Sequence, residues 1–175
     1  ANRMHDAEII LRPLIADCVT KGELVLARSA ATDLFIILRD SRPKEALELA
    51  EKIKNCTIKL DLGPWTQIQD EGRKLQALNK LGKYPDTLNS VMNLRFQMKA
   101  LPEHSEQDEL VEIWNAKEVI LSTGLEAAIN FGKTNQILEL TNDLLEIRRA
   151  RGARVLELAR GAFSNYSALI RLKRY

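Results

Sequence analysis

Histidine, cysteine and glycine are scarce in this chain, and each shortage closes off a class of chemistry. Only two histidines occur among 175 residues. His5 and His104 lie far apart and in no metal-ligand spacing, so no metal site is expected. Two cysteines, Cys18 and Cys56, sit in helical-looking stretches with no histidine near either in sequence. Small core thiols fit them better than a nucleophile or a disulfide framework. Such sparing use of cysteine suits a reducing compartment, and a cytoplasmic location is expected. The eight glycines stand singly and never form a phosphate-cradling loop. No apolar run approaches the roughly 20 residues of a membrane helix. Residues 1–6 do not lead into the apolar centre of a signal peptide. Twenty-six basic and 24 acidic residues leave a net charge of +2, too balanced to diagnose a nucleic-acid or membrane protein. No two carboxylates are marked as an acid/base pair. The expectation is a protein that is not an enzyme and carries no cofactor.

What is present is a helix former's composition: 45% hydrophobic, 29% charged, and rich in Leu, Ala, Glu, Lys and Arg. Helical periodicity runs nearly throughout, so breakers mark the elements. They predict helices over 6–20, 23–39, 43–59, 64–81, 84–100, 105–131, 134–150 and 153–173. Pro43 and Pro64 stand where a proline is pre-set for a first helical turn. Pro13 lies inside the first span and either kinks that helix or marks its true start. Ser105 is placed to cap the long helix ending at Phe131, with Asp108 three residues on as the partner of a short capping box. The acidic group Glu103, Glu106, Asp108 and Glu109 suits a helix N-terminus through the dipole. Gly72, Gly124 and Gly161 fall inside helices, where close packing explains them. Thr57-Ile58-Lys59-Leu60 alternates like a strand but is too short to outweigh its surroundings. The fold class expected is all-α, with about eight antiparallel helices.

A repeat carries most of the information. Turns at Ser41, Gly82, Gly132 and Lys173 are spaced by 41, 50 and 41 residues. The longer middle spacing is explained by one inserted loop over 101–109. Apolar or small residues recur at fixed offsets. Seven before each turn are Leu34, Leu75, Leu125 and Tyr166, and four before are Ile37, Leu78, Ala128 and Leu169. Five after are Ala46, Thr87 and Ile137; nine after are Ala50, Val91 and Thr141; twelve after are Ile53, Leu94 and Leu144. Each helix pair therefore has one apolar face closing its hairpin and another stacking on the next pair.

The stretches Lys80-Leu81-Gly82-Lys83-Tyr84-Pro85-Asp86-Thr87 and Leu38-Arg39-Asp40-Ser41-Arg42-Pro43-Lys44-Glu45-Ala46-Leu47 resemble the tetratricopeptide turn. The period of about 41 residues resembles the longer variety found in kinesin light chains and in bacterial signalling ATPases of the maltose-regulator type. Ile147-Arg148-Arg149-Ala150-Arg151-Gly152-Ala153-Arg154 fits the basic, glycine-containing turn of that variety. The resemblance covers nearly the whole chain with degenerate motifs: Ser41 and Lys173 replace the turn glycine, and Thr87 and Ile137 replace the small alanine. It implies a single α-solenoid domain over 1–175, coiled as a right-handed superhelix. The repeat phase places both ends in mid-repeat, so the chain is expected to be a fragment of a longer protein. Leu156, Ala159, Ala162, Phe163, Tyr166 and Leu169 then await partners, and exposed repeat ends could join two copies as a homodimer.

By that resemblance, the first helix of each pair lines a concave groove. The polar residues there off the core offsets are Arg28, Arg39, Gln69, Arg73, Gln76, Asn79, Lys80, Glu126, Asn130, Arg160 and Arg171. Guanidinium forks and amides suit peptide backbones and carboxylates. Neither Ala31 with Phe35 nor Gly72 with Gln76 supplies the Lys and Asn of the clamp for C-terminal carboxylates, so chaperone binding is not inferred. The function expected is a non-catalytic scaffold binding a protein, a peptide or another domain of the parent chain. The alternative is a ligand-sensing or autoinhibitory arm of a larger signalling ATPase or transcription regulator. Residues 148–175 hold eight basic residues against Glu157 alone, a local +7 set against −5 elsewhere. Nucleic-acid binding through that end ranks third, because its few aromatics are assigned to the core.

Overall fold

A computed structural model describes residues 2–103, 106–108 and 111–171, the side chains of 2, 3, 164, 165, 167, 168 and 171 excepted. Among these residues the fold is all-α, with eight α-helices and no strand. The helices are α1 (Asn2–Lys21), α2 (Leu24–Leu38), α3 (Pro43–Lys59), α4 (Pro64–Lys80), α5 (Tyr84–Ala100), α6 (Ile113–Phe131), α7 (Thr134–Ala150) and α8 (Val155–Arg171). Pro43, Pro64 and Pro85 all lie in first turns, where a missing N–H costs nothing. Pro13 sits within α1 instead, on its exposed side. No described helix is long and apolar enough to cross a membrane. The turn expected near Lys173 lies outside the described residues.

The ends of α1, α3, α6 and α7 follow one pattern. Gly132 takes φ +70° after α6. Its N–H donates to the Ile129 carbonyl at 3.2 Å, and the Lys133 N–H donates to the Ala128 carbonyl at 2.9 Å. This pair of bonds satisfies carbonyls that the helix leaves unpaired. The same two bonds close α3 at Asp61, a non-glycine residue at φ +51°.

The chain forms two compact units, Ala1–Gly82 with His104–Val111, and Lys83–Glu103 with Glu112–Tyr175. In the N-terminal unit α1 packs on α2, α2 on α3 and α3 on α4. Its core gathers Ile15, Leu34, Phe35, Leu38, Ala46, Ala50, Ile53 and Ala77. Removing each large side chain of this set from water contributes about 1.5–3 kcal/mol. Side chains also tie alternate helices: Arg12 of α1 reaches Glu45 of α3 at 2.5 Å, and Arg28 of α2 reaches Asp70 of α4 at 2.9 Å. In the C-terminal unit α5 packs on α6, α6 on α7 and α7 on α8. Val91, Ile120, Leu121, Leu140 and Leu144 are its most deeply buried large side chains. Gly124 lets α5 and α6 close up, since a Cβ there would stand 2.4 Å from Val91 Cγ1.

Two of the five repeat offsets are buried throughout. Ala46, Thr87 and Ile137, five residues past their turns, are all buried, as are Ala50, Val91 and Thr141 at nine. Two departures have physical causes. The helix expected from Ser105 begins only at Ile113, because Asp108 is spent elsewhere. Its carboxylate accepts the backbone N–H of Trp65 at 3.0 Å and of Thr66 at 2.8 Å, and the Thr66 hydroxyl at 2.7 Å. Asp108 therefore caps α4, while Ser105 lies outside the described residues. Gly63 permits the approach, since a Cβ there would lie 2.5 Å from the Asp108 carboxyl carbon. The second departure is Tyr166, assigned to the core by its offset but 59% exposed on α8. Leu156 and Phe163 are exposed beside it, because within this unit only α7 packs against α8.

Candidate functional site

In the N-terminal unit α2 and α4 present their polar residues to each other. Arg28, Ser29, Thr32 and Asp33 recur at helical spacing on α2, and Gln69 and Arg73 lie one turn apart on α4. Together with Val25, Leu60 and Leu62 they line an open cleft of about 320 Å³. Beneath its wall lies Asp70, whose side chain is fully buried. The Asp70 carboxylate accepts Arg28 Nη2 at 2.9 Å, the Thr57 hydroxyl and Arg73 Nη1. Arg28 Nε donates in turn to Thr57 Oγ1 at 2.6 Å. One carboxylate thus holds two guanidiniums, and Asp33 on the cleft's lining supplies a second negative charge. Burial pushes the Arg73 pKa down, against the pull of Asp70. Arginine stays protonated even so.

A second group follows along the same two helices. Arg39 donates to Gln76 Oε1 at 3.4 Å and to Asp40 Oδ2 at 3.2 Å, and Lys80 reaches Asp40 Oδ1 at 3.1 Å. Hydrogen bonds from Arg39 and Lys80 hold the Asp40 carboxyl below its ordinary pKa. Of the groove residues expected from sequence, six therefore assemble on one face in two groups. Arg28, Gln69 and Arg73 form the first, and Arg39, Gln76 and Lys80 the second.

The others lie apart from these groups. Asn79 is buried within α4. Asn130 is exposed on α6 and donates to the Glu126 carbonyl at 2.8 Å. Arg160 is exposed on α8, and the side chain of Arg171 lies outside the described residues. Asp70 and Thr57 escaped the sequence reading. Asp70 sits three residues before Arg73, which is a local signal, but its partner Arg28 lies 42 residues away and leaves none.

In the C-terminal unit three arginines are paired with acids of neighbouring helices. Arg95 of α5 donates to both Asp143 oxygens and, at 2.8 Å, to Glu139 of α7. Glu118 of α6 accepts Arg148 Nε at 2.5 Å and Arg151 Nε at 2.8 Å. Arg151 also donates to Glu157 at 2.5 Å and lies over the Trp114 ring, 4.7 Å from its centroid. Two cations of the basic end are thereby neutralised within their own unit. A cleft of about 340 Å³ between α5, α6 and α7 is walled partly by these pairs.

Neither thiol is placed for chemistry. Cys18 and Cys56 are buried around Ala27, and burial raises both pKa values. Among the described residues, no group of three or more His, Cys, Asp or Glu side chains could hold a metal ion. Compared with known protein families, with curated proteins and with solved structures, the chain matches none of them.

Proposed function

We propose that this chain is a non-catalytic binding module, a tetratricopeptide-like α-solenoid that takes a peptide or protein segment along the face shared by α2 and α4. The observation that supports this reading is the Asp70 cluster. A fully buried carboxylate that fixes two guanidiniums at the wall of an open cleft pre-orients donors for a ligand. Pre-set donors lose less freedom on binding than mobile surface arginines do. The second group, Arg39, Gln76 and Lys80, extends the polar track along the same helices, as an extended ligand would use it.

Selection from a display library of random peptides tests the reading. Enriched peptides should carry acidic residues, and their binding should fall about tenfold with Gln69→Ala and Lys80→Ala together, the loss of roughly 1.4 kcal/mol of polar contact. Enrichment of no peptide, or binding indifferent to both substitutions, would remove the groove assignment. The second reading, a ligand-sensing arm of a signalling ATPase or transcription regulator, draws support from the cleft's size. Some 320 Å³ falls at the small end of ordinary small-molecule sites.

A further inference from the structure

We propose that this chain associates head to tail with its own copies, the exposed apolar face of α8 in one copy taking α1 of the next. The contact uses neither α2 nor α4 and is independent of the binding proposed there. Along α8, Leu156, Ala159, Phe163, Tyr166 and Ile170 are exposed at intervals of three or four residues, one side of the helix. Within its unit α8 packs against α7 alone. The repeat register says what belongs on the open side. Phe163, Tyr166 and Ile170 stand at the same distances from the turn expected at Lys173 as Ala31, Leu34 and Leu38 do from the turn at Ser41. Those three residues of α2 are buried, in a core to which α3 contributes Ala46, Leu49, Ala50 and Ile53. The cover for such a face is an antiparallel second helix.

Helix α1 is built like α3. Both end at a residue in the left-handed conformation, Gly22 and Asp61. Counted back from those residues, Ala7, Ile10, Leu11 and Leu14 match Ala46, Leu49, Ala50 and Ile53. Unlike their counterparts, Ile10 is exposed and the other three are half-buried. The two sets of offsets lay α8 antiparallel to α1 of the next copy, with Tyr166 over Ile10. Charge then favours the same arrangement. At the start of α8 Arg154 and Arg160 are exposed, while Glu157 is held by Arg151. The end of α1 that meets them carries Asp17 and Glu23, both exposed. Arg160 stands in the place of Arg28, which donates to Thr57 of α3 at 2.6 Å, and that place falls beside Asp17. Asp17 holds Lys21 at 2.7 Å, an exposed pair whose exchange costs little. Pairing α8 with α8 would set arginine against arginine instead. Because the two faces are unlike, each added copy leaves one of each open, and growth can continue. One helix laid on another buries less than a standard interface, so the association is weak.

Sedimentation equilibrium of the full chain, from micromolar to millimolar concentration, tests the proposal. The mean mass should rise with concentration and pass that of a dimer. Phe163→Glu and Ile10→Glu change exposed side chains, so both variants should keep the helical circular dichroism of the parent chain. Each alone should stay monomeric. Mixed, they should form a dimer and nothing larger, because Phe163→Glu still offers α1 and Ile10→Glu still offers α8. Asp17→Arg should weaken the parent's association about fivefold, and adding Arg160→Asp should restore most of it. A chain that stays monomeric throughout, self-association of Ile10→Glu alone, a mixture that remains monomeric, or no recovery in the doubly reversed variant would overturn the proposal.

Discussion

In the N-terminal unit the fully buried carboxylate of Asp70 serves two guanidiniums, whereas in the C-terminal unit the partly exposed Glu118 serves two and shares one of them with Glu157. Asp70 is buried beneath Arg28 and Arg73, which line an open cleft with Asp33. Arg95 spans Glu139 and Asp143, and Arg151 spans Glu118 and Glu157, so those cations are balanced within the unit. The same residue types line an open cleft in one place and brace three helices in the other. What separates them is the depth of the acid. An arginine cluster in a sequence is therefore ambiguous until its counter-ions are located.

The sharpest way to break this comparison is to remove the acid from each cluster. Asp70→Ala leaves two guanidiniums facing each other with no buried counter-charge, and should cost about 3–5 kcal/mol. Glu118→Ala leaves Arg151 its bond to Glu157 and its place over Trp114, and should cost about 1 kcal/mol. Urea unfolding of the two variants measures both. Equal losses would mean that burial depth does not distinguish the clusters.

Glycine offers the next largest contrast. Gly124→Ala would set a Cβ 2.4 Å from Val91 Cγ1 and 3.0 Å from its Cβ, a branched side chain with little room to turn. The overpacking should cost about 1–3 kcal/mol and outweigh the helix propensity gained. Gly161→Ala meets Leu145 at 2.8 Å from Cδ2 and 3.3 Å from Cγ, and Arg148 Nη1 at 3.8 Å. The end of Leu145 can swing aside, so the change should be within about 0.5 kcal/mol of neutral. Thermal midpoints of the pair check the expected order.

Much of the fold was legible because its signals are local. Pro43 and Pro64 mark helix starts by chemistry confined to one turn, and Gly132 marks a helix end in the same way. The periodic offsets located Ala46, Thr87, Ile137, Ala50, Val91 and Thr141 in the core. What stayed hidden depends on partners distant in sequence. Asp108 looked like part of its own helix start, yet it caps α4 more than 40 residues earlier. Tyr166 carried the right offset but stays exposed, since within its unit α8 packs only against α7. At the site, polar residues off the core positions were visible as candidates, and Arg28, Gln69 and Arg73 meet at one cleft. Asp70, the residue that organises them, was not, because α4 is buried on more than one face and inward polar positions break no pattern.

Two smaller effects refine the picture. Hydrogen bonds from Arg42 and Arg12 hold the Glu8 carboxyl down at about 2, from an ordinary value of 4.5. A carboxyl lowered on folding stabilises the chain above pH 4.5, and that contribution fades as the pH falls toward 2. Glu8→Gln should therefore lower the urea midpoint at pH 6 and leave it nearly unchanged at pH 2.5. Equal effects at both values would mean that packing, and not charge, gives Glu8 its role. Thr141 tests the smallest term: its hydroxyl is buried without a hydrogen-bond partner. Thr141→Val keeps the shape and should raise stability by up to about 1 kcal/mol, read from the same urea curves.

The central claim is that the α2–α4 face binds while the charge networks of the C-terminal unit brace the fold. A map of backbone amide shifts, recorded as a display-selected acidic peptide is added to the ¹⁵N-labelled chain, tests it most directly. Saturable shifts concentrated in residues 25–40 and 60–80 are the predicted result. Shifts concentrated in 95–99 and 139–157, or along the exposed apolar side of α8, would contradict it.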